Sequence, residues 1–318
     1  MKRNRPRRAA HDDASALQHI AAQSHARRRV RWIGALAGLI GSLVAFDASH
    51  RSASAQAIET EHLFGFTLGS DVGARGEREI ESATATRIGK AAGSYGAVTQ
   101  KLSLELVPAE NVRTEFSAIG VSHDIISVPG FDDRRQLGFG GLSAELRYRL
   151  LDRAVTGLGL TLAAEPHWSR FEEVSGARTT QYGVDLAVAI DKELVADRVV
   201  GAFNLLYQPE SAKSPVTGTW SSESMAGVAS ALMVQVRPGI LVGGEARYLR
   251  RYDGIGFDAF AGHAVFVGPT VYAAISERAW FTLAYSAQVA GRDTGQPAAL
   301  DLRGFERHQV RFLFGVTF

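Results

Sequence analysis

From Glu61 to the C-terminus, apolar residues recur at every second position, the period of a strand with one apolar face rather than of a helix. In the last segment Val310, Phe312, Phe314, Val316 and Phe318 alternate with Gln309, Arg311, Leu313, Gly315 and Thr317. The same alternation runs through Leu142 to Leu150, Leu158 to Ala164 and Tyr182 to Ile190. Further segments are Val98 to Val107, Val112 to Gly120, Val199 to Gln208, Ser224 to Arg237, Ile240 to Leu249, Phe260 to Ile275 and Trp280 to Val289. With Glu61 to Leu68 in front, twelve strands are predicted. An even number is what a closed, single-chain antiparallel barrel with both ends on one side requires.

Alternation alone does not separate such a barrel from a soluble sandwich. The connections do: they run to about 10 to 26 residues after odd-numbered strands and about 3 to 8 after even-numbered ones, as in a barrel with one rim of tight turns and one of loops. A Greek-key sandwich has no reason to alternate so regularly. Tyr95, Trp168, Tyr182, Tyr207, Trp220, Tyr248 and Phe260 lie at strand ends beside the long connections, where rings with polar tips settle between hydrocarbon and water. Tyr148, Trp280 and Phe318 supply a second girdle at the short-turn end.

The charge balance separates leader from body. Of 35 Lys+Arg and 33 Asp+Glu, ten basic and three acidic residues precede residue 57, leaving 25 basic against 30 acidic. The body is therefore mildly acidic, which argues against a nucleic-acid partner. Trp32 to Phe46 is an apolar run of about 15 residues, short of the roughly 20 a spanning helix needs. With Arg27, Arg28, Arg29 and Arg31 before it and Ala55-Gln56-Ala57 after it, the segment reads as a signal peptide with a long basic n-region, cleaved at Ala55 and Ala57. The expected division is 1–57 leader and 58–318 barrel. The sequence contains no cysteine, which removes disulfide scaffolds, thiol catalysis and thiolate metal sites.

The segment His308 to Phe318 resembles the C-terminal strand of Gram-negative outer-membrane β-barrel proteins, alternating apolar residues up to a terminal Phe. The resemblance implies an outer-membrane location with both mature termini in the periplasm, contact with outer-membrane lipid and lipopolysaccharide, and reading by the barrel-assembly machinery. It assigns the assembly signal to Phe312, Phe314, Val316 and Phe318.

With apolar faces on lipid, Lys101, Glu105, Arg113, Glu115, Glu145, Arg147, Arg149, Glu165, His167, Asp185, Glu245, Arg247 and Arg311 are expected in the lumen. Opposed charges there either line a narrow path for a small solute or ion, or close it by pairing. Arg113 and Glu115 are expected to pair with Glu145 and Arg147 across neighbouring strands. The function expected is a narrow channel or transporter for a small solute. The alternative is a structural barrel with a plugged lumen, whose long loops at Ser70 to Ser94 and Asp293 to Glu306 bind partners.

No enzyme, cofactor or metal is expected. Outer-membrane phospholipases also use twelve strands, and His167-Trp168-Ser169 has a similar His-to-Ser spacing, but no Asn-Gly follows and no third member of a triad is proposed. The acid pairs Asp132-Asp133 and Glu172-Glu173 read as solvated loop charge rather than calcium ligands. Gly138 to Gly141 falls on a strand and relieves crowding rather than cradling phosphate.

Overall fold

The computed structural model describes residues 58–295 and 298–318. The leader, with its predicted cleavage site, lies outside the described residues. Twelve strands form one closed antiparallel barrel. They are β1 (Arg78–Ile88), β2 (Ser94–Ala109), β3 (Val112–Ile126), β4 (Arg134–Leu151), β5 (Gly159–Phe171), β6 (Arg178–Val195), β7 (Val199–Lys213), β8 (Trp220–Arg237), β9 (Ile240–Asp253), β10 (Phe260–Ala274), β11 (Ala279–Asp293) and β12 (His308–Thr317). Each strand pairs with its sequence neighbour, and β1 closes on β12 from Glu79 opposite Thr317 to Ile88 opposite His308.

The burial pattern is that of a water-soluble sheet turned inside out. On β2, Leu102 is 56% exposed while Glu105 is 3% exposed; on β3, Phe116 is 55% exposed while Arg113 is 2% exposed. Leu142, Leu146, Leu205 and Leu232 also face outward. A belt of exposed apolar side chains over buried charge is stable only in hydrocarbon, and closure leaves no unpaired sheet edge facing it. The fold is an outer-membrane-type β-barrel.

The turn end of the barrel carries the connections 110–111, 196–198, 238–239 and 275–278, and a single-turn helix, α1 (Arg153–Thr156). The loop end carries 89–93, 127–133, 172–177, 214–219, 254–259 and 294–307. These loops are shorter than the sequence suggests because the strands continue past their apolar stretches. Gly141 shows why glycine is needed on β4: a Cβ there would lie 2.0 Å from the Trp168 carbonyl oxygen on β5.

One predicted strand is wrong. Glu61 to Leu68 forms no strand, and β1 lies instead inside the stretch Ser70 to Ser94 that the sequence assigns to a surface loop. The total of twelve survives because one strand was gained where another was missed. The physical reason is that residues 58–73 are apolar enough to be buried but are covered by the barrel wall: Leu63 and Val72 are completely buried, and Ile58 and Phe64 nearly so. In the lumen Ile58, Leu63 and Phe64 pack with Val200, Ala202, Ala231, Met233 and Leu241. At about 1.5–3 kcal/mol for each large apolar side chain, this burial anchors the segment to the wall.

Candidate functional site

The segment 58–73 is irregular, so its backbone polar groups need partners that the sheet's own ladders cannot supply. Wall side chains provide them. Asp191 of β6 accepts from Thr60 Oγ1 (2.7 Å), Ser70 N (2.6 Å) and Ser70 Oγ (2.8 Å), and from Arg153 Nη1 of α1 (2.7 Å). Glu245 of β9 accepts from Gly65 N (2.7 Å) and Phe66 N (2.8 Å). Asn204 of β7 accepts from Leu68 N (2.6 Å) and donates to Leu68 O (2.9 Å). Arg153 also reaches the Ile58 carbonyl and Asp71. The segment folds back so tightly that a Cβ on Gly69 would lie 2.0 Å from Thr60 O, which makes glycine obligatory there. The result is a plug filling the turn-end half of the lumen.

Against the plug and beyond it, charged side chains of β2 to β5 bond to one another inside the lumen. Arg113 contacts Glu61 of the plug (2.9 Å), Glu105 (2.6 Å) and Glu115 (3.2 Å). Lys101 contacts Glu115 (2.8 Å) and Glu165 (2.5 Å), and Arg147 Nε donates to Glu145 Oε1 (2.6 Å). The expected cross-strand pairing of Arg113 and Glu115 with Glu145 and Arg147 does not occur. Register sets Arg113 opposite Arg147 and Glu115 opposite Glu145, like facing like. Backbone register fixes which Cα atoms face one another, so the charges resolve the conflict by bonding along the strand, diagonally and to the plug.

A cavity of about 830 Å³ lies between the plug and the loop end. Lys101, Arg113, Glu115, Glu145, Arg147, Glu165, His167, Asp185, Arg247 and Arg311 line it. Glu105 and Glu245 lie lower, against Arg113 and the plug backbone, whereas Arg149 sits at the turn end, donating to Asn111 Oδ1 (3.3 Å) and Glu110 O (3.1 Å). The Arg247 guanidinium stacks over Phe66 of the plug at 4.0 Å. His167 and Ser169 both line the cavity rather than the lipid face.

The loop end is partly roofed. In 294–307 the side chains of Asp301, Phe305 and Glu306 are buried. Lys90 of the 89–93 loop donates to Phe305 O (2.7 Å) and Arg303 O (3.2 Å), and its burial pushes the ammonium pKa down to about 8. Within the stretch Asp293 to Glu306, Asp301, Phe305 and Glu306 are thus turned inward, whereas Thr294, Gly295, Ala298 and Ala299 are exposed. Of the aromatics assigned to interfacial girdles, Tyr182, Trp220, Tyr248, Tyr148 and Phe318 are exposed, but Tyr95 and Trp280 are buried inside the barrel. Tyr95 donates to Val174 O (2.8 Å), and Trp280 stacks on His62 of the plug.

Sequence reasoning missed Glu61, His62, Arg153, Asp191 and Asn204 as parts of this interior. Asp191 and Asn204 did carry a signal, being polar residues at inward positions of β6 and β7. Nothing in the spacing of the plug residues betrays their neighbours.

Among solved structures, the barrel is similar to the COG4313 outer membrane channel from Pseudomonas putida F1, with a TM-score of 0.53 at 12% identity, covering 78% of this chain and 98% of that one. The NanC porin gives a TM-score of 0.45 at 10% identity (75% and 98% covered). The translocator domain of the autotransporter NalP from Neisseria meningitidis gives 0.44 at 12% identity (78% and 91%). The first of these likenesses is one of fold alone. No curated protein matches the chain. Residues 56–318, most of the 318-residue chain, match the model of DUF6662, a family of unknown function, and the chain belongs to that family.

Proposed function

We propose that this protein is an outer-membrane channel for a small solute, held closed at rest by residues 58–73. The observation that carries the reading is the charged cavity of about 830 Å³ that ends on a plug made from the chain itself. A barrel needed only as a wall gains nothing from a polar cavity of that size, whereas a conduit needs a wet, charged path beyond its gate. The similar structure described as an outer membrane channel is consistent with it. In this reading the turn end and both mature termini face the periplasm, and the outer face meets lipid and lipopolysaccharide.

The plug turns on Asp191, whose carboxylate holds Thr60, Ser70 and Arg153 together. Planar-bilayer recordings should find wild-type protein silent or nearly so, and Asp191→Ala conducting in discrete steps while its barrel still migrates as the compact, heat-modifiable form. The second reading, a permanently closed structural barrel, is favoured by the apolar cluster that the plug shares with β7, β8 and β9. Silence of a folded Asp191→Ala barrel and of one lacking residues 58–72 would leave only that reading.

A further inference from the structure

Where the plug meets β1 and β2, four potential metal ligands converge: His62 of the plug, Glu79 and Glu81 of β1, and Glu105 of β2. One ligand atom from each lies within 4.8 Å of the others. We propose that they form a site for a first-row divalent metal ion, of the Zn²⁺ class, that ties the plug to the barrel wall. The proposal does not depend on whether the barrel conducts.

Three observations point the same way. The first is an excess of negative charge: Glu61, Glu79, Glu81 and Glu105 meet in the barrel interior, and among the described residues the one guanidinium in contact with them is that of Arg113, which bonds Glu61 and Glu105. Lys101 and Arg147 are committed to Glu115, Glu165 and Glu145. Burying carboxylates without a counter-charge is costly, and a dication supplies what the wall does not.

The second is unpartnered oxygen. Glu79 Oε2 accepts from Trp280 Nε1 (2.9 Å) and Thr317 Oγ1 (3.0 Å), and Glu105 Oε2 contacts Arg113 (2.6 Å). Their other oxygens, Glu79 Oε1 and Glu105 Oε1, are buried without a hydrogen-bond partner among the described residues, and both side chains are more than nine-tenths buried. Each carboxylate is thus gripped by one oxygen and offers the other, the arrangement of a ligand held from behind.

The third is the imidazole. His62 stacks on Trp280 with ring centroids 4.0 Å apart and planes 13° apart, and its carbonyl accepts from Thr282 Oγ1, so the ring is fixed. Its Nε2 lies 3.4 Å from Glu79 Oε1 and its Nδ1 lies 3.8 Å from Glu81 Oε2. Carboxylates thus flank both ring nitrogens. An imidazole with carboxylates suits zinc and its first-row neighbours, whereas calcium prefers an all-oxygen set. Ligands bonded at about 2.1 Å stand roughly 3–4 Å apart, so small side-chain shifts complete the shell. His62 and Glu81 line the cavity, which gives an ion its way in.

The test uses the refolded mature barrel, stripped with chelator and titrated with Zn²⁺ alone and, separately, with Ca²⁺ alone, with bound metal measured by mass spectrometry and calorimetry. One Zn²⁺ per barrel is expected, with Ca²⁺ binding much weaker. Glu81→Gln and Glu105→Gln should each weaken Zn²⁺ binding tenfold or more, while Asp132→Asn in the 127–133 loop leaves it unchanged. Should Glu105→Gln fail to give the heat-modifiable form because Arg113 loses one of its partners, Glu81→Gln carries the test, since among the described residues no guanidinium forms an ion pair with Glu81. Absence of stoichiometric Zn²⁺ in folded wild type overturns the proposal. So does Zn²⁺ binding that survives both Gln variants, or a preference for Ca²⁺.

Discussion

Three carboxylates of the lumen converge on Arg113. It is almost wholly buried, and its guanidinium faces Glu61, Glu105 and Glu115. Removing it leaves those carboxylates in a low-dielectric interior, at a cost of about 3–5 kcal/mol. Arg147 is buried too but is bonded to one carboxylate, Glu145. Arg113→Ala should therefore lower the temperature at which the compact gel form is lost by more than Arg147→Ala does. With the plug closing the lumen as proposed, and Arg147 buried on Glu145 at the cavity wall, Arg147→Ala should affect folding more than conductance. If Arg147→Ala instead leaves stability untouched and changes ion selectivity in bilayers, water of the cavity screens this pair and it is worth only about 0–1 kcal/mol.

At the scale of the element, the plug depends on where the chain is cut. The Ile58 N–H donates to Glu193 Oε1 at 2.7 Å, beside the Arg153 contact to the Ile58 carbonyl. Cleavage after Ala57 would turn that N–H into an ammonium and the hydrogen bond into an ion pair, roughly doubling its strength. Mass spectrometry of protein from outer-membrane fractions should find Ile58 as the first residue, and Glu193→Gln should make limited proteolysis of residues 58–73 faster. A mature terminus well upstream of Ala55, or a Glu193→Gln plug as protected as wild type, would remove the ion pair from the account.

For the whole molecule, closure rests on one seam. β12 must pair with both β11 and β1, and β1 is only reached after the chain has left the lumen at about residue 77. The terminal strand thus forms one side of the seam that closes the barrel around its plug. Phe312 and Val316 are exposed on this strand and Phe318 just beyond it, three of the four positions that the resemblance to outer-membrane barrels assigns to an assembly signal. Phe318→Ala should lower the amount of barrel in the outer membrane several-fold while detergent-refolded protein keeps its heat-modifiable form. Equal loss in both settings would make Phe318 a packing residue instead.

The sequence by itself determined the class of fold and, Tyr95 and Trp280 excepted, much of which side chains face in and which face out. A two-residue period ties each side chain to one face, so Leu102 with Glu105, or Phe116 with Arg113, reads correctly without knowing any neighbour. It did not determine what fills the barrel. Residues 61–68 alternate well enough to pass for a strand, because a segment buried by side-chain packing and one buried by sheet pairing need the same apolar content. Only the tertiary structure shows that Asp191, Asn204 and Glu245, on three separate strands, supply the partners this segment's backbone requires. The same holds for His62 with Glu79, Glu81 and Glu105. Local periodicity records which face a residue takes, whereas the meeting of the plug with the wall depends on barrel closure and strand register, which place distant residues side by side.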